Sequence, residues 1–127
     1  KFVASNTLAD ADAAWRNTTV LRGDVVEQVR RLKEQPGDEL QVHGSWRLAR
    51  TLHDSGLVDI YRVLQFPVVV GDGKRLFADA TPATYRITES EVLPGGAGAV
   101  SLTLRQAEFG TTGTGEFVVR EGREDVA

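Results

Sequence analysis

In the middle of this chain of 127 residues, a short apolar run is followed by a Gly-Ser pair and then by apolar residues at helical spacing. Leu40–His43 has the composition of a short strand. Leu48, Ala49 and Leu52 then repeat at helical spacing, and Gly56 is typical of the residue that ends a helix. Because strands that turn directly into helices build layered α/β folds, this segment predicts a sheet flanked by helices.

A helix upstream of this segment begins after Asp24 and ends at Pro36-Gly37. Asp24 can cap the first backbone amides, and Glu27, three residues later, completes the pattern of a capping box. Four apolar residues share one face of this helix at helical spacing: Val25, Val26, Val29 and Leu32.

Further strands are predicted where β-branched or alternating apolar residues occur between turn residues. These are Phe2–Ser5, Thr18–Leu21, Val58–Phe66 with a continuation at Val68–Val70, a hairpin of Thr84–Leu93 with Ala99–Ala107, and an edge strand at Glu116–Arg120 before a frayed tail. The order predicts an α/β fold with a mixed, mostly parallel sheet, flanked by helices and extended by a C-terminal antiparallel hairpin. We expect a single domain over residues 1–127. Because the chain starts directly in an apolar run, we expect it to be the C-terminal portion of a longer domain.

Composition excludes several classes of function. A formal net charge of −3 argues against a nucleic-acid partner, which needs a basic surface. The chain has no cysteine, which excludes thiolate chemistry and agrees with a cytoplasmic location. Its apolar runs are too short to span a membrane. The two histidines lack the spacing of metal ligands, so no metal site is predicted.

The Gly44-Ser45 pair can form an anion-binding turn. The first amides of a helix have no partner within the helix and carry the positive end of its dipole. Gly44 permits close approach of a phosphate to the backbone, and Ser45 adds a hydroxyl. Gly-Ser before a helix is also typical of a plain N-cap, so both interpretations are open at this point.

A wider pattern surrounds this turn. It consists of Asn17–Val20, Asp24–Val26 with Leu32-Lys33, Val42–Ser45, Gly56–Asp59 and Pro67–Phe77. In this order and spacing the chain resembles the dihydrofolate reductase-like family. Within that family it is most similar to small bacterial proteins built around the RibD C-terminal reductase domain of riboflavin biosynthesis. The resemblance covers about residues 1–107, and residues 108–127 have no place in it.

The resemblance implies an NADPH-dependent reductase that transfers hydride to a small heterocyclic or imine-like substrate of the pterin or aminopyrimidine class. The residues that match the family's diphosphate-binding turn are Gly44, Ser45, Trp46, Arg47 and Leu48. Many relatives carry further glycines at positions 45 and 46. Because backbone amides hold the diphosphate, these differences are compatible with binding if the Trp46 ring points away from the cofactor.

The resemblance also places Ser5, Asn6 and Thr7 at the strand end that receives the adenosine 2'-phosphate. Related chains commonly have a basic residue at the Asn6 position, whereas asparagine donates a hydrogen bond without charge. Arg22, at the end of the next strand, can supply that charge or be a solvated surface residue.

Three basic positions complete the candidates. The resemblance places His43 beside the nicotinamide, with a histidine at the sheet edge as the alternative. Lys74 and Arg75 can border the substrate mouth or be solvated residues of a hairpin turn at Gly71–Gly73. His53 is interpreted as a surface residue, and no catalytic acid is identified.

Two other functions fit the same residues. The chain can be a non-catalytic nucleotide-binding or dimerisation module of the same fold, because it has no identified acid and has a neutral Asn6. It can also be an interaction domain that pairs through an exposed sheet edge. The long strand Val58–Phe66 and the terminal hairpin indicate a possible homodimer.

Overall fold

The computed structural model describes residues 1–95 and 98–107 in full, together with the backbone of two terminal strands, Phe117–Arg120 and Arg123–Val126. The chain divides into two compact units. The first unit comprises Lys1–Val58 and Asp72–Ala80, and the second comprises Asp59–Gly71 and Thr81–Ala127. The single domain expected over residues 1–127 stays a prediction.

The first unit contains a parallel strand pair. β1 (Phe2–Ala4) lies beside β2 (Thr19–Leu21) with Val3 opposite Val20. The ladder extends past the carboxyl ends, because the Ser5 amide donates to the Leu21 carbonyl at 3.0 Å. The two strands therefore end side by side, and the residues that follow each of them are neighbours.

α1 (Val25–Glu34) begins as the sequence predicts. The Asp24 carboxylate accepts from the Glu27 amide at 3.1 Å, which confirms the N-cap. The Glu27 carboxylate accepts from Arg31 and Arg30, each at 2.9 Å, so it is engaged along the helix rather than at the cap. The hydrogen bond from Arg31, followed by that from Arg30, lowers the pKa of Glu27.

α2 (Trp46–Asp54) confirms the second predicted helix. Gly56 ends it in a left-handed conformation, with φ of 66°. The Gly56 amide donates to the His53 carbonyl and the Leu57 amide to the Leu52 carbonyl, each at 2.9 Å. This is a Schellman motif, and its positive φ favours glycine at this position.

The strand predicted at Leu40–His43 is wrong, since none of its residues is in a strand. Within the fully described ranges no strand pairs with this segment, and Leu40 and Val42 are exposed. An apolar run becomes a strand only when a neighbour satisfies its backbone groups. The chain therefore enters α2 from an exposed loop.

The second unit contains a three-stranded antiparallel sheet in the order β3-β5-β4. β4 (Tyr85–Val92) pairs with β5 (Val100–Gln106), which confirms the predicted hairpin. β3 (Ile60–Gln65) confirms a shorter form of the strand predicted at Val58–Phe66 and pairs with the other edge of β5. The predicted continuation at Val68–Val70 is wrong, because these residues are outside any strand and Val69 is 99% exposed.

A mixture of helices and strands is confirmed, whereas a mostly parallel sheet is not found. The described strands form one parallel pair, the antiparallel sheet, and an antiparallel pair of β6 (Phe117–Arg120) with β7 (Arg123–Val126). The parallel prediction depended on a strand at Leu40–His43 and on a crossover into β3. Instead, β3 pairs antiparallel with β5. β6 lies within the predicted edge strand, but β7 occupies the tail that was expected to fray.

Buried apolar side chains are few in the fully described ranges: Leu21, Leu52 and Ala99. His53 is the buried polar residue among them. In the second unit, burial and then the charge of Asp59 raise the pKa of the Tyr85 phenol, whose ring lies edge-on to Tyr61 at 5.3 Å. Neither of the two described helices is long and apolar enough to cross a bilayer.

Candidate functional site

The turn that precedes α2 has a left-handed backbone conformation at two consecutive residues. Gly44 has φ of 65°, and Ser45 has φ of 49° with ψ of 62°. A left-handed conformation costs a non-glycine residue about 1 kcal/mol or more. The Ser45 side chain makes no capping hydrogen bond to the helix. The turn is therefore not the plain side-chain N-cap that the Gly-Ser pair also suggested.

The first amides of α2 are unpaired among the residues that the structure describes. Within the described part of the chain, the amides of Trp46, Arg47 and Leu48 donate to no backbone or side-chain acceptor. The ladder of the helix starts with Ala49, whose amide donates to the Ser45 carbonyl at 2.9 Å. Residues 44–47 are all exposed. Unpaired amides at an exposed helix start, with the positive end of the dipole, can hold an anion such as a phosphate. We call Gly44–Leu48 the helix-start corner.

One face of α2 holds the segment Asp72–Ala80, which we call the strap. The Trp46 Nε1 donates to the Arg75 carbonyl at 3.1 Å. The Arg50 guanidinium donates to the carbonyls of Ala78 and Asp79 and also binds the Asp54 carboxylate at 2.7 Å. These contacts fix the middle and the C-terminal end of the strap to the helix.

His53 continues this face. Trp46, Arg50 and His53 are spaced by four and then three residues, which places them on one side of a helix. His53 is 7% exposed, and its ring lies 5.6 Å from that of Phe77 in the strap. The interpretation of His53 as a surface residue is therefore wrong, because the strap covers it.

The strap brings a cation near the helix-start corner. The Lys74 Nζ lies 5.8 Å from the centroid of the Trp46 ring. Lys74 and Arg75 are both exposed, but no strand flanks Gly71–Gly73 on either side. The predicted hairpin turn at these residues is therefore wrong. The indole is engaged with the strap through its nitrogen and its ring face.

A second group of predicted site residues lies where β1 and β2 end. We call Ser5–Thr7 with Arg22 and Gly23 the strand-end corner. The Ser5 hydroxyl accepts from the amides of Thr7 and Leu8, at 3.3 and 3.1 Å. The Asn6 Oδ1 accepts from the Gly23 amide at 2.7 Å. The side-chain oxygens of Ser5 and Asn6 thus stabilise the backbone turns at this corner.

Arg22 is paired in this corner. Its Nη2 lies 2.6 Å from the Asp10 Oδ1, and its carbonyl accepts from the side-chain Nε2 of Gln28. Arg22 was expected to meet a phosphate or to be solvated. The structure instead places a carboxylate on its guanidinium, so an anionic ligand at this corner meets an arginine that already has a partner.

The RibD C-terminal domain model matches residues 1–113. The chain belongs to the RibD C-terminal domain family. This family is associated with reductase activity and riboflavin biosynthesis. The membership confirms the resemblance inferred from the sequence pattern.

Known proteins that are similar to this chain include the following two. The uncharacterized protein YyaP of Bacillus subtilis (strain 168) is 35% identical over 79 residues, which cover 62% of this chain and 40% of YyaP. A solved structure from Shewanella sp. PV-4, of a protein assigned by name to riboflavin biosynthesis, has a TM-score of 0.69 at 21% identity. That match covers 84% of this chain and 60% of the other. The chain thus spans less than two thirds of either relative, and the structural likeness shows the fold alone.

His43 precedes the helix-start corner in this RibD-type chain. It is exposed and lies in the loop before Gly44, outside any strand. The alternative of a histidine at a sheet edge is therefore wrong, while a place beside the nicotinamide stays a prediction. Over residues 1–95 and 98–107, no group of three or more histidine or carboxylate side chains is arranged to hold a metal.

Sequence reasoning missed two residues of this site, Asp10 and Arg50. Arg50 had a detectable signal, because it falls at helical spacing between Trp46 and His53. Asp10 had none. Its partner Arg22 is twelve residues away, and an exposed aspartate in a polar loop gives no indication of what it pairs with.

Proposed function

We propose that this chain is the cofactor-binding part of an NADPH-dependent reductase of the RibD type. The observation that supports this best is the exposed start of α2, where the amides of Trp46, Arg47 and Leu48 have no protein partner in the described part of the chain. Family membership supplies the reaction class. NADPH, when bound, supplies hydride to a small heterocyclic or imine-like substrate of the pterin or aminopyrimidine class.

The residues of the helix-start corner fit a dinucleotide's diphosphate. A diphosphate needs several donors that converge without a side chain in the way. Gly44 has no Cβ, and nothing lies within 4 Å of where one would be. Three consecutive amides at the helix start supply the donors. In this proposal the Trp46 side chain takes no part in binding, since its nitrogen donates to Arg75 in the strap.

The other predicted residues take supporting roles in the proposal. His43 lies beside the nicotinamide, where an imidazole can donate a hydrogen bond to substrate or relay a proton. Ser5, Asn6 and Thr7 line the adenosine end, with Arg22 as the guanidinium at the end of the next strand. The protein's own contribution to hydride transfer is positioning and the exclusion of water. A cytoplasmic location belongs to the same proposal.

A titration tests the proposal directly. NADPH is added to the protein while nicotinamide fluorescence is recorded, and a saturable change below millimolar cofactor is expected. A panel of pterins and aminopyrimidines is then assayed for NADPH oxidation. No saturable change at millimolar NADPH contradicts the proposal.

A non-catalytic nucleotide-binding or dimerisation module is the second candidate. It is favoured by the strand-end corner, where Asn6 is neutral and Asp10 pairs with Arg22. Binding of NADPH without oxidation across the whole panel favours this candidate. The homodimer stays a prediction, and size-exclusion chromatography with light scattering over a range of concentrations measures it.

A further inference from the structure

The carboxyl ends of β1 and β2 lie side by side, and α/β proteins bind ligands at this end of their parallel strands. The strands are parallel, and the chain leaves them at Ser5 and Arg22. Ligands of open α/β sheets bind beyond the carboxyl ends of parallel strands. Ser5 directly follows β1 and Arg22 directly follows β2, so Arg22 is the cationic residue of the two. An anionic group that binds at these strand ends therefore has Arg22 as its natural partner.

The backbone around Arg22 is held firmly. Its carbonyl accepts from Gln28, and the next amide, Gly23, donates to the Asn6 Oδ1 at 2.7 Å. Both bonds are made by the peptide group that joins Arg22 to Gly23, and on the other side of Arg22 the Leu21 carbonyl accepts from the Ser5 amide at 3.0 Å. The guanidinium therefore extends from a defined point, and its surroundings decide which anion it binds.

Asp10 already supplies such an anion. Its carboxylate lies 2.6 Å from the Arg22 Nη2 and is held in a single 3-10 turn, Asp10–Asp12, which the Ala13 amide closes on the Asp10 carbonyl at 3.2 Å. The side chain of Asp10 is 88% exposed and that of Arg22 is 40% exposed. An exposed ion pair of this kind is weak, so a phosphate can displace the carboxylate. Asp10 would then remain close to the phosphate and repel it.

We infer that Asp10 is a specificity-determining residue that competes with a ligand's 2'-phosphate for Arg22. This inference rests on the proposed dinucleotide function. Asp10 weakens the binding of NADPH and leaves NADH, which lacks the 2'-phosphate, almost unaffected. The neutral Asn6 adds no charge to offset this, and its Oδ1 is already bonded to Gly23. The chain therefore prefers NADPH over NADH less strongly than it would if Arg22 had no carboxylate beside it.

Asp10→Asn tests the inference, with Asp12→Asn as the matched control. Both substitutions remove one negative charge from the same 3-10 turn, but only Asp10 is paired with Arg22. The dissociation constants of NADPH and NADH are measured for each variant. We expect Asp10→Asn to tighten NADPH binding about three- to tenfold and to change NADH binding less than about twofold. Asp12→Asn should shift the ratio of the two constants much less.

A second pair of ligands isolates the adenosine end. Adenosine 2',5'-bisphosphate should gain as much affinity from Asp10→Asn as NADPH does, and AMP should gain little. Arg22→Met should remove the gain when it is combined with Asp10→Asn. This double variant separates the release of Arg22 from a general change in surface charge.

The outcomes separate the inference from the proposed function. If the unmodified protein binds neither NADPH nor NADH, the proposed function and the inference both fail. If it binds them and Asp10→Asn leaves the ratio of the two constants unchanged, the inference alone is overturned. An equal shift with Asp12→Asn, or a gain that persists in the double variant, also overturns it.

Discussion

The two corners of the first unit use their polar groups in opposite ways. At the strand-end corner, Ser5, Asn6 and Arg22 each have a partner within the protein. At the helix-start corner, the amides of residues 46–48 have none within the described part of the chain. A ligand must compete with the protein at the first corner, whereas at the second it completes hydrogen bonds that are otherwise made only to water. The hydrogen bonds thus separate a corner where a ligand displaces protein contacts from one where it does not, although the sequence pattern assigns both to the cofactor.

The largest effect is expected from Arg50→Met. This substitution removes contacts between α2 and the strap and changes no residue of either corner. Arg50 binds two strap carbonyls and Asp54, and its side chain is only 21% exposed. A hydrogen bond from a charged group contributes about 1.5–3 kcal/mol to stability. We therefore expect the loss of the Arg50 guanidinium to lower the free energy of unfolding by about 2–3 kcal/mol. Urea denaturation measures it. The control is Arg47→Met, since Arg47 is exposed and should change stability by less than about 0.5 kcal/mol. Equal losses in both variants would show that the strap does not depend on Arg50.

Gly44→Val tests whether the helix-start corner depends on its backbone conformation. A β-branched residue at φ of 65° is strained, although nothing lies within 4 Å of the new Cβ. We expect a loss of about 1–2 kcal/mol in the free energy of unfolding. We also expect at least about tenfold weaker NADPH binding, because relief of the strain redirects the amides.

Gly37→Val is the matched control for this substitution. Gly37 is not in the left-handed region, and a Cβ there also meets nothing within 4 Å. Its variant should therefore retain both stability and binding. If Gly44→Val binds NADPH as tightly as the control does, the helix-start corner is not the diphosphate site.

Two substitutions of Asn6 separate folding from ligand binding at the strand-end corner. Asn6→Ala removes the acceptor for the Gly23 amide and should lower the free energy of unfolding by about 1 kcal/mol. Asn6→Asp keeps an acceptor in the same position and should be nearly as stable as the unmodified protein. The added negative charge should nevertheless weaken NADPH binding more than NADH binding. Thermal unfolding and fluorescence titration give the two readouts, and loss of stability in both variants would contradict the assigned bond.

The parts of the fold that the sequence predicts are those with local causes. The cap at Asp24, the helix ends before Pro36 and at Gly56, and the β4–β5 hairpin all arise from residues close together in the chain. The strand at Leu40–His43 was wrong because its existence depends on a distant partner, which composition does not reveal.

The candidate site divides in the same way. The unusual turn at Gly44-Ser45 was visible from residue types, and so was the family, whose motifs are local. The Asp10–Arg22 pair and the strap on α2 join residues that are 12 to 29 positions apart. Such contacts follow from packing, so His53 looked like a surface residue and Asp10 was not noticed at all.

The smallest effect is expected at Ser45, whose left-handed φ of 49° is unfavourable for serine. Ser45→Gly relieves that strain but adds chain entropy to the unfolded state, so the free energy of unfolding should rise by less than about 1 kcal/mol. NADPH affinity should stay within about twofold, because the amides and not the hydroxyl bind the diphosphate. Ser45→Ala is the companion variant: it removes the hydroxyl and retains the strain. A large loss of NADPH affinity in both variants would assign the binding to the hydroxyl. The helix-start corner would then bind through a side chain, and its unpaired amides would no longer be what distinguishes it from the strand-end corner.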